Sequence, residues 1–318
     1  MAPDSSTRER RRANRAWRSP AHVGPIQEAM TESGATRSGK THKTENFPVA
    51  SRLVRPEHRP LIMAFYDFAR AADDIADAPD LASDEKLRRL NHMEAVLTGK
   101  GVGDTKAQTL RAALKTRGLT ARHPRDLLIA FRADATKRVY ADWWELMNYC
   151  AYSANPVGRF VLDVHGEDDA LWLASDAICS ALQIINHLQD CADDYAKIAR
   201  VYIPQDRLAA HGAATRMLAL PASPPGLRAT IVELAQRTRA LLREGRGLAG
   251  DVRDRRLRLE IEVIYALAEA HLDRLMVMDP LSQRTKLPRW KMGFVALSAA
   301  ARGMLGAASR ARISEAQS

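Results

Sequence analysis

Cysteine is scarce: the chain of 318 residues holds three, Cys150, Cys179 and Cys191. They form no CxxC pair and have no matching histidine cluster, which excludes a disulfide framework and a zinc site and fits a reducing, cytoplasmic setting. Long apolar runs are also missing. No stretch approaches the ~18 consecutive apolar residues of a spanning helix, and the first residues lack the apolar core of a signal peptide. Aromatics make up only 6% of the chain, and alternating Val, Ile and Thr are rare, so the usual material of β-sheets is absent. What is abundant is Ala and Leu within a 46% hydrophobic composition, enough to bury a sizeable core, and the fold class expected is all-α.

The net charge of +10 admits three kinds of partner: nucleic acid, an anionic membrane surface, or a polyanionic small molecule such as a diphosphate. Charge alone does not choose among them. Residues 1–44 are rich in Arg, Ser, Thr and Gly, include Arg10-Arg11-Arg12 and show no sustained apolar period, and they read as a disordered basic tail. From Glu45 onward the pattern is helical, giving a domain over 45–285 and a C-terminal helix and tail over 286–318. Pro56 is expected in the first turn of a helix ending at Asp77, before Ala78-Pro79-Asp80. Ser83 is expected to cap the next. Further helices are expected over 105–117, 124–135, 142–165, 168–198, 226–244, 252–277 and 290–307. Val201-Tyr202-Ile203-Pro204 reads as a break between helices, since Pro204 ends the run.

Two phosphate-loop patterns occur in the wrong surroundings. Gly34 to Thr41 matches GxxxxGK[ST], yet no buried strand can precede it, and the pattern cradles phosphate only between a strand and a helix. Gly245 to Gly250 matches GxGxxG but follows a helical run, which makes it a helix cap and linker.

Two acidic stripes carry the chemistry. Asp73 and Asp77 lie one helical turn apart on one face. Asp190 and Asp194 repeat that spacing, and Gln183 and Asn186 extend the second stripe toward the N-terminus along a helix that is otherwise largely apolar. Like charges at this spacing repel by a few tenths of a kcal/mol, roughly, on an exposed helix, so the pairing is favourable only around a cation. Carboxylates and an amide are the hard oxygen donors that Mg²⁺ takes, often together with substrate phosphate oxygens. Two such stripes facing each other would hold a diphosphate through metal ions, and the apolar helix faces would line a hydrocarbon tunnel. Arg70, Lys197 and Arg200 flank them. Arg70 can grip diphosphate oxygens or form an intrahelical salt bridge with Asp74.

These segments resemble the squalene/phytoene synthase family. The resemblance runs from about Glu45 to about Leu281 and rests on Glu45-Asn46-Phe47-Pro48-Val49-Ala50-Ser51, Phe65 through Asp77, Tyr149 through Gly158, Gln183 through Asp194, and Arg200-Val201-Tyr202-Ile203-Pro204. Within the family the wording is most similar to the bacterial hydroxysqualene synthase branch of hopanoid biosynthesis. Condensing members usually carry an Arg where this chain has Gln189, so a diphosphate-facing cation is expected to be missing there. The resemblance implies a single large helical bundle of the isoprenoid synthase type with a central hydrophobic cavity. It implies Asp73, Asp77, Asp190 and Asp194 as metal ligands, with Asp74 a weaker one, for Mg²⁺ or alternatively Mn²⁺. It further implies Asn186 as an aid to the metals, Arg70, Lys197 and Arg200 as diphosphate-binding groups, and Tyr149, Gln183 and Tyr202 at the reacting end.

The reaction implied starts from presqualene diphosphate, or from farnesyl diphosphate in condensing relatives. Water captures the rearranged cation, and a separate squalene-forming flavoenzyme performs the later reduction, so neither NADPH nor flavin is expected here. A presqualene diphosphate synthase would be the upstream partner, and nucleic acid is not an expected one. A non-catalytic assembly factor on the same fold would be expected to lose these aspartates. Tyr140, Trp143, Trp144 and Tyr149 either stack on the cation or pack the core. His187 is expected to be a hydrogen-bonded core or surface residue rather than a base. The run from Trp290 to Leu305, with Lys286, Arg289, Lys291 and Arg302, has the basic and apolar mix of an interfacial helix, so peripheral contact with the inner membrane surface is expected beside the alternative of a plain surface helix.

Overall fold

The first described helix shows how the sequence builds the rest. In α1 (Arg59–Asp77), the buried residues Leu61, Ile62, Phe65, Phe68, Ala72 and Ala76 recur every three or four positions, one face of a 3.6-residue repeat. Pro60, not Pro56, occupies its first turn, where a missing N–H costs nothing. The computed structural model describes residues 54–288 and 290–299. The basic tail, the matched segments of residues 34–41 and 45–51, and Arg289 and Arg302 lie outside them. All described residues belong to one compact unit, 37–318.

Eleven more helices follow: α2 (Ser83–Leu97), α3 (Thr105–Thr116), α4 (Arg122–Asp134), α5 (Trp143–Ser153), α6 (Asn155–His165), α7 (Trp172–Gln189), α8 (Cys191–Ile198), α9 (Gln205–Ala210), α10 (Pro225–Glu244), α11 (Leu248–Asp251) and α12 (Arg255–Val277), and residues 290–299 are helical as well. Among the described residues no β-strand occurs, and a lone parallel bridge joins Val139 to Val201. The expected helix 142–165 is two helices, because Pro156 in the first turn of α6 has no N–H to continue α5. The expected helix 168–198 breaks at Asp190, whose φ of −104° and ψ of 9° leave the helical region. Ser83 does not cap α2. Ala82 holds that position, and the Ser83 hydroxyl donates to the Ala135 carbonyl at 2.8 Å.

Two apolar clusters fill the bundle. One joins α1 to α4, and the other packs α5, α7, α10 and α12. Helix α6 belongs to both, giving Phe160 and Val164 to the first and Leu162 to the second. Phe160 stacks on Phe65 with ring centroids 4.0 Å apart, a burial that contributes roughly 1.5–3 kcal/mol per ring relative to exposure. At Gly158 a Cβ would lie 2.3 Å from the Ser175 hydroxyl and 2.5 Å from the Cys179 sulfur, so the close approach of α6 to α7 requires glycine. A third, small cluster sets Leu287 and Ala299 against Val263 and Leu267 of α12.

Helix α8 ends in a corner that aims Arg200 and Tyr202 inward. Ala199 adopts φ 51° and ψ 41°, the only positive φ of a non-glycine residue among those described. The chain then reverses, Val201 N–H donates to the Arg138 carbonyl at 2.8 Å, and Arg200 and Tyr202 become 2% and 6% exposed. Left-handed backbone strains a Cβ by roughly 1–2 kcal/mol, partly offset by the greater unfolded-state freedom of glycine. Ala199→Gly is therefore expected to stabilise the protein by about 0.5–1 kcal/mol, read as a rise in the urea midpoint at unchanged slope. A fall in that midpoint would contradict the strain.

Candidate active site

The C-terminal halves of α1 and α7 converge on one polar cavity of about 240 Å³. Arg70, Asp73 and Asp77 line it from α1, and Gln183, Asn186, His187 and Asp190 from α7 and its cap. Asp194, Arg200, Tyr149 and Tyr202 complete it together with three residues that the sequence did not mark for the site, Asp134, Ile198 and Lys286. One turn earlier on the same helices the lining becomes apolar. Ile62, Phe65 and Ala69 of α1 and Ile178, Cys179 and Leu182 of α7 help enclose a second cavity of about 290 Å³. Residues 69 and 70, and 182 and 183, are chain neighbours, so the greasy space abuts the polar one along both helices.

Both helices point their C-terminal ends, the negative poles of their dipoles, at carboxylates. That concentrates negative charge, and the protein answers with cations. Arg70 pairs with Asp73 at 2.7 Å and Asp74 at 3.1 Å, and Arg200 with Asp77 at 2.9 Å and Asp134 at 3.4 Å. Lys86, buried, donates to the Ala76 carbonyl at 2.9 Å near the end of α1. Lys286 pairs with Asp190 at 2.7 Å. Lys286 thus turns away from the exposed basic face on which the sequence placed it. Arg274 fixes the segment that carries it, donating to the Thr285 and Arg284 carbonyls at 2.7 Å each.

Not every expected residue is brought in. Asp74 faces Arg70 and is not among the cavity's lining residues. Lys197 is 70% exposed along its side chain and pairs with Asp193 at 2.9 Å. Gln189, where a diphosphate-facing cation was expected to be missing, is buried and donates to His271 Nδ1 at 2.8 Å, so position 189 faces α12 instead of the cavity. Trp144 is 71% exposed, whereas Tyr140, Tyr149 and Tyr202 are buried together with ring centroids 5.3–5.4 Å apart. His187 stacks on Tyr202 at 3.5 Å.

The donor chemistry fits Mg²⁺. Asp73, Asp77, Asp190, Asp194 and Asn186 are hard oxygen donors around one cavity. They are spread round its wall, an arrangement suited to ions shared with a ligand's own oxygens. Among the described residues, His58, His165 and Asp254 are the one group with three ligand atoms within 4.8 Å of one another. That group is already committed: Asp254 caps α12 and pairs with Arg55 at 2.6 Å, and the Arg117 guanidinium lies 3.0 Å from His58 Nδ1. Two guanidinium groups make it hostile to a cation.

A model of the squalene/phytoene synthase family matches residues 40–291. The hydroxysqualene synthase of Rhodopseudomonas palustris is 53% identical over 258 residues, 81% of this chain and 88% of its own, and that of Zymomonas mobilis is 48% identical over 79% and 86%. Among solved structures, squalene synthase HpnC from Alicyclobacillus acidocaldarius is similar at 32% identity with a TM-score of 0.63, over 71% of this chain and 85% of that one. A dehydrosqualene synthase has a TM-score of 0.71 at 20% identity over 81% and 92%, a likeness of fold.

Burial, with Arg274 and Lys286 nearby, pushes the His271 pKa down from 6.5 to about 4. The unfolded chain takes up a proton near 6.5 and the folded one does not, so this group's stabilisation is complete above that pH and is lost as pH falls toward about 4. Between pH 7.5 and 4.5 the loss should be about 2–3 kcal/mol. In His271→Gln the difference between urea-unfolding free energies at these two pH values is expected to shrink by that amount, and an undiminished difference would contradict the assignment.

Proposed function

The chain belongs to the squalene/phytoene synthase family, and on that premise we propose that it is a hydroxysqualene synthase, converting presqualene diphosphate and water to hydroxysqualene and diphosphate. The observation that carries the reading is the abutment of a cavity walled by carboxylates and cations with an apolar one, along two shared helices. A prenyl diphosphate has the same two halves in the same order.

Asp73, Asp77, Asp190 and Asp194, aided by Asn186, would hold Mg²⁺, with Mn²⁺ as the alternative. Such an ion, once held there, would neutralise charge on the diphosphate. Arg70, Arg200 and Lys286 add fixed positive charge around the same cavity, which favours the transition state in which the carbon–oxygen bond breaks. Lys197 is the weakest of the expected diphosphate ligands, since its ammonium faces Asp193 at the surface. The apolar cavity binds the hydrocarbon chains and excludes bulk water from the cation. The buried rings of Tyr149 and Tyr202 line the polar cavity, where ring faces would stabilise positive charge. Gln183 marks the boundary with the apolar cavity on α7, next to Leu182.

The lipid nature of substrate and product gives residues 290–299 a role. Trp290, Phe294 and Leu297 are 75%, 71% and 72% exposed at one helical face, while Met292, Val295 and Ala299 pack toward α12. This face would lie in a membrane surface and deliver presqualene diphosphate from its synthase to the site. No helix among the described residues is long and apolar enough to cross a membrane.

Purified protein with Mg²⁺ should turn presqualene diphosphate into an alcohol and leave farnesyl diphosphate unconsumed, as read by mass spectrometry. Consumption of farnesyl diphosphate alone would make it a condensing synthase. Asp73→Asn and Asp190→Asn should each lower turnover by about 10²-fold or more. Full activity in both would undo the assignment of the acidic stripes.

A further inference from the structure

Water capture leaves a proton that must go somewhere, and the site contains an acceptor that no motif marks. We propose that Asp134 is the terminal acceptor of that proton, reached through the hydroxyl of Tyr149. The inference rests on the hydroxysqualene synthase reading and deepens it.

Asp134 is the last residue of α4, 2% exposed, and lines the polar cavity. Its carboxylate is fully organised. Tyr149 donates to Oδ2 at 2.8 Å, Tyr202 donates to Oδ1 at 3.2 Å, and Arg200 sits 3.4 Å from Oδ1. Arg200 also donates to the Tyr202 hydroxyl at 2.9 Å and to the Asp134 backbone carbonyl at 3.1 Å. Tyr202 is thereby fixed from two sides, whereas Tyr149 gives its hydrogen to Asp134 and keeps oxygen lone pairs for a donor in the cavity that it lines. The two hydroxyl oxygens are 3.4 Å apart.

The step balances. The water oxygen forms the new carbon–oxygen bond to the allylic cation, and one of its O–H bonds breaks. That proton passes to the Tyr149 oxygen as the Tyr149 hydrogen moves to Asp134 Oδ2. Asp134 ends as a neutral acid and Tyr149 is unchanged, so no tyrosinate forms. Burial holds both tyrosine hydroxyls well above their ordinary pKa, which rules out an ionised tyrosine as the starting base. Burial also raises Asp134 to about 6, against the lowering by Arg200 and the Tyr149 hydrogen bond; Asp77 raises it further and His187 lowers it. Such an acid is charged at neutral pH and still close to accepting. Its position separates the proton from the substrate's new hydroxyl by one side chain, which slows return.

The test is product partition with presqualene diphosphate, Mg²⁺ and ¹⁸O-water, following diphosphate release and labelled alcohol together. In Asp134→Asn and in Tyr149→Phe, diphosphate release should persist within about tenfold of wild type, while the alcohol share of products falls about tenfold or more in favour of hydrocarbons. Persistent release shows that a variant is folded and still ionises substrate. If Asp134→Asn does not fold, Tyr149→Phe decides by itself. An alcohol share unchanged in either folded variant, or falling only in parallel with diphosphate release, would overturn the relay. If the wild-type protein makes no alcohol, the function reading fails instead.

Discussion

Everything in the site follows from concentrating carboxylates where two helix dipoles already point their negative ends. Asp73 and Asp77 close α1, and Asp190 caps α7. Such an arrangement is unfavourable without counter-charge, so Arg70, Arg200 and Lys286 are held against it by ion pairs from three different parts of the chain. The same positive groups would meet a diphosphate. The structure therefore carries a carboxylate-rich site neutralised by fixed cations.

Burial of Arg200 ties this balance to the buried tyrosines. One guanidinium contacts Asp77, Asp134 and Tyr202, and it reaches them only because the chain turns through the left-handed corner at Ala199. Leaving any one of these charges alone in that interior would be costly. The polar network thus fixes Tyr149 and Tyr202 on the wall of the polar cavity.

Much of this was legible in sequence because helical periodicity is local. The spacing of Asp73 with Asp77 and of Gln183 with Asn186 and Asp190 fixes which side chains share a face, and those residues do line one cavity. Asp134 and Lys286 were not legible. Asp134 ends an ordinary amphipathic helix and is brought to the site by tertiary packing, and Lys286 sits in a basic run whose outward or inward sense depends on the carbonyl contacts of Arg274. Their one sequence signal is weak: Asp134 is a carboxylate on the buried face of α4, where a charge needs a partner. Gln189 shows the converse. Its neighbour Asp190 lines the cavity, yet position 189 lies about 100° round the helix and meets His271. The breaks at Ala154 and Asp190 were hidden because Pro156 and the helix end lie inside otherwise continuous apolar periods.

The shared direction of α1 and α7 also governs how such a protein can vary. Each helix acts as a ruler, with greasy graduations at one end and acidic ones at the other. Exchanging one side chain leaves the scale intact. Inserting a single residue between Cys179 and Gln183 would rotate everything beyond it by about 100°, swinging Asn186 and Asp190 off the cavity at one stroke. Connections such as residues 99–104 and 211–224 can change length without that rotation, and the count of residues along these two helices matters to the cavity as much as the aspartates themselves.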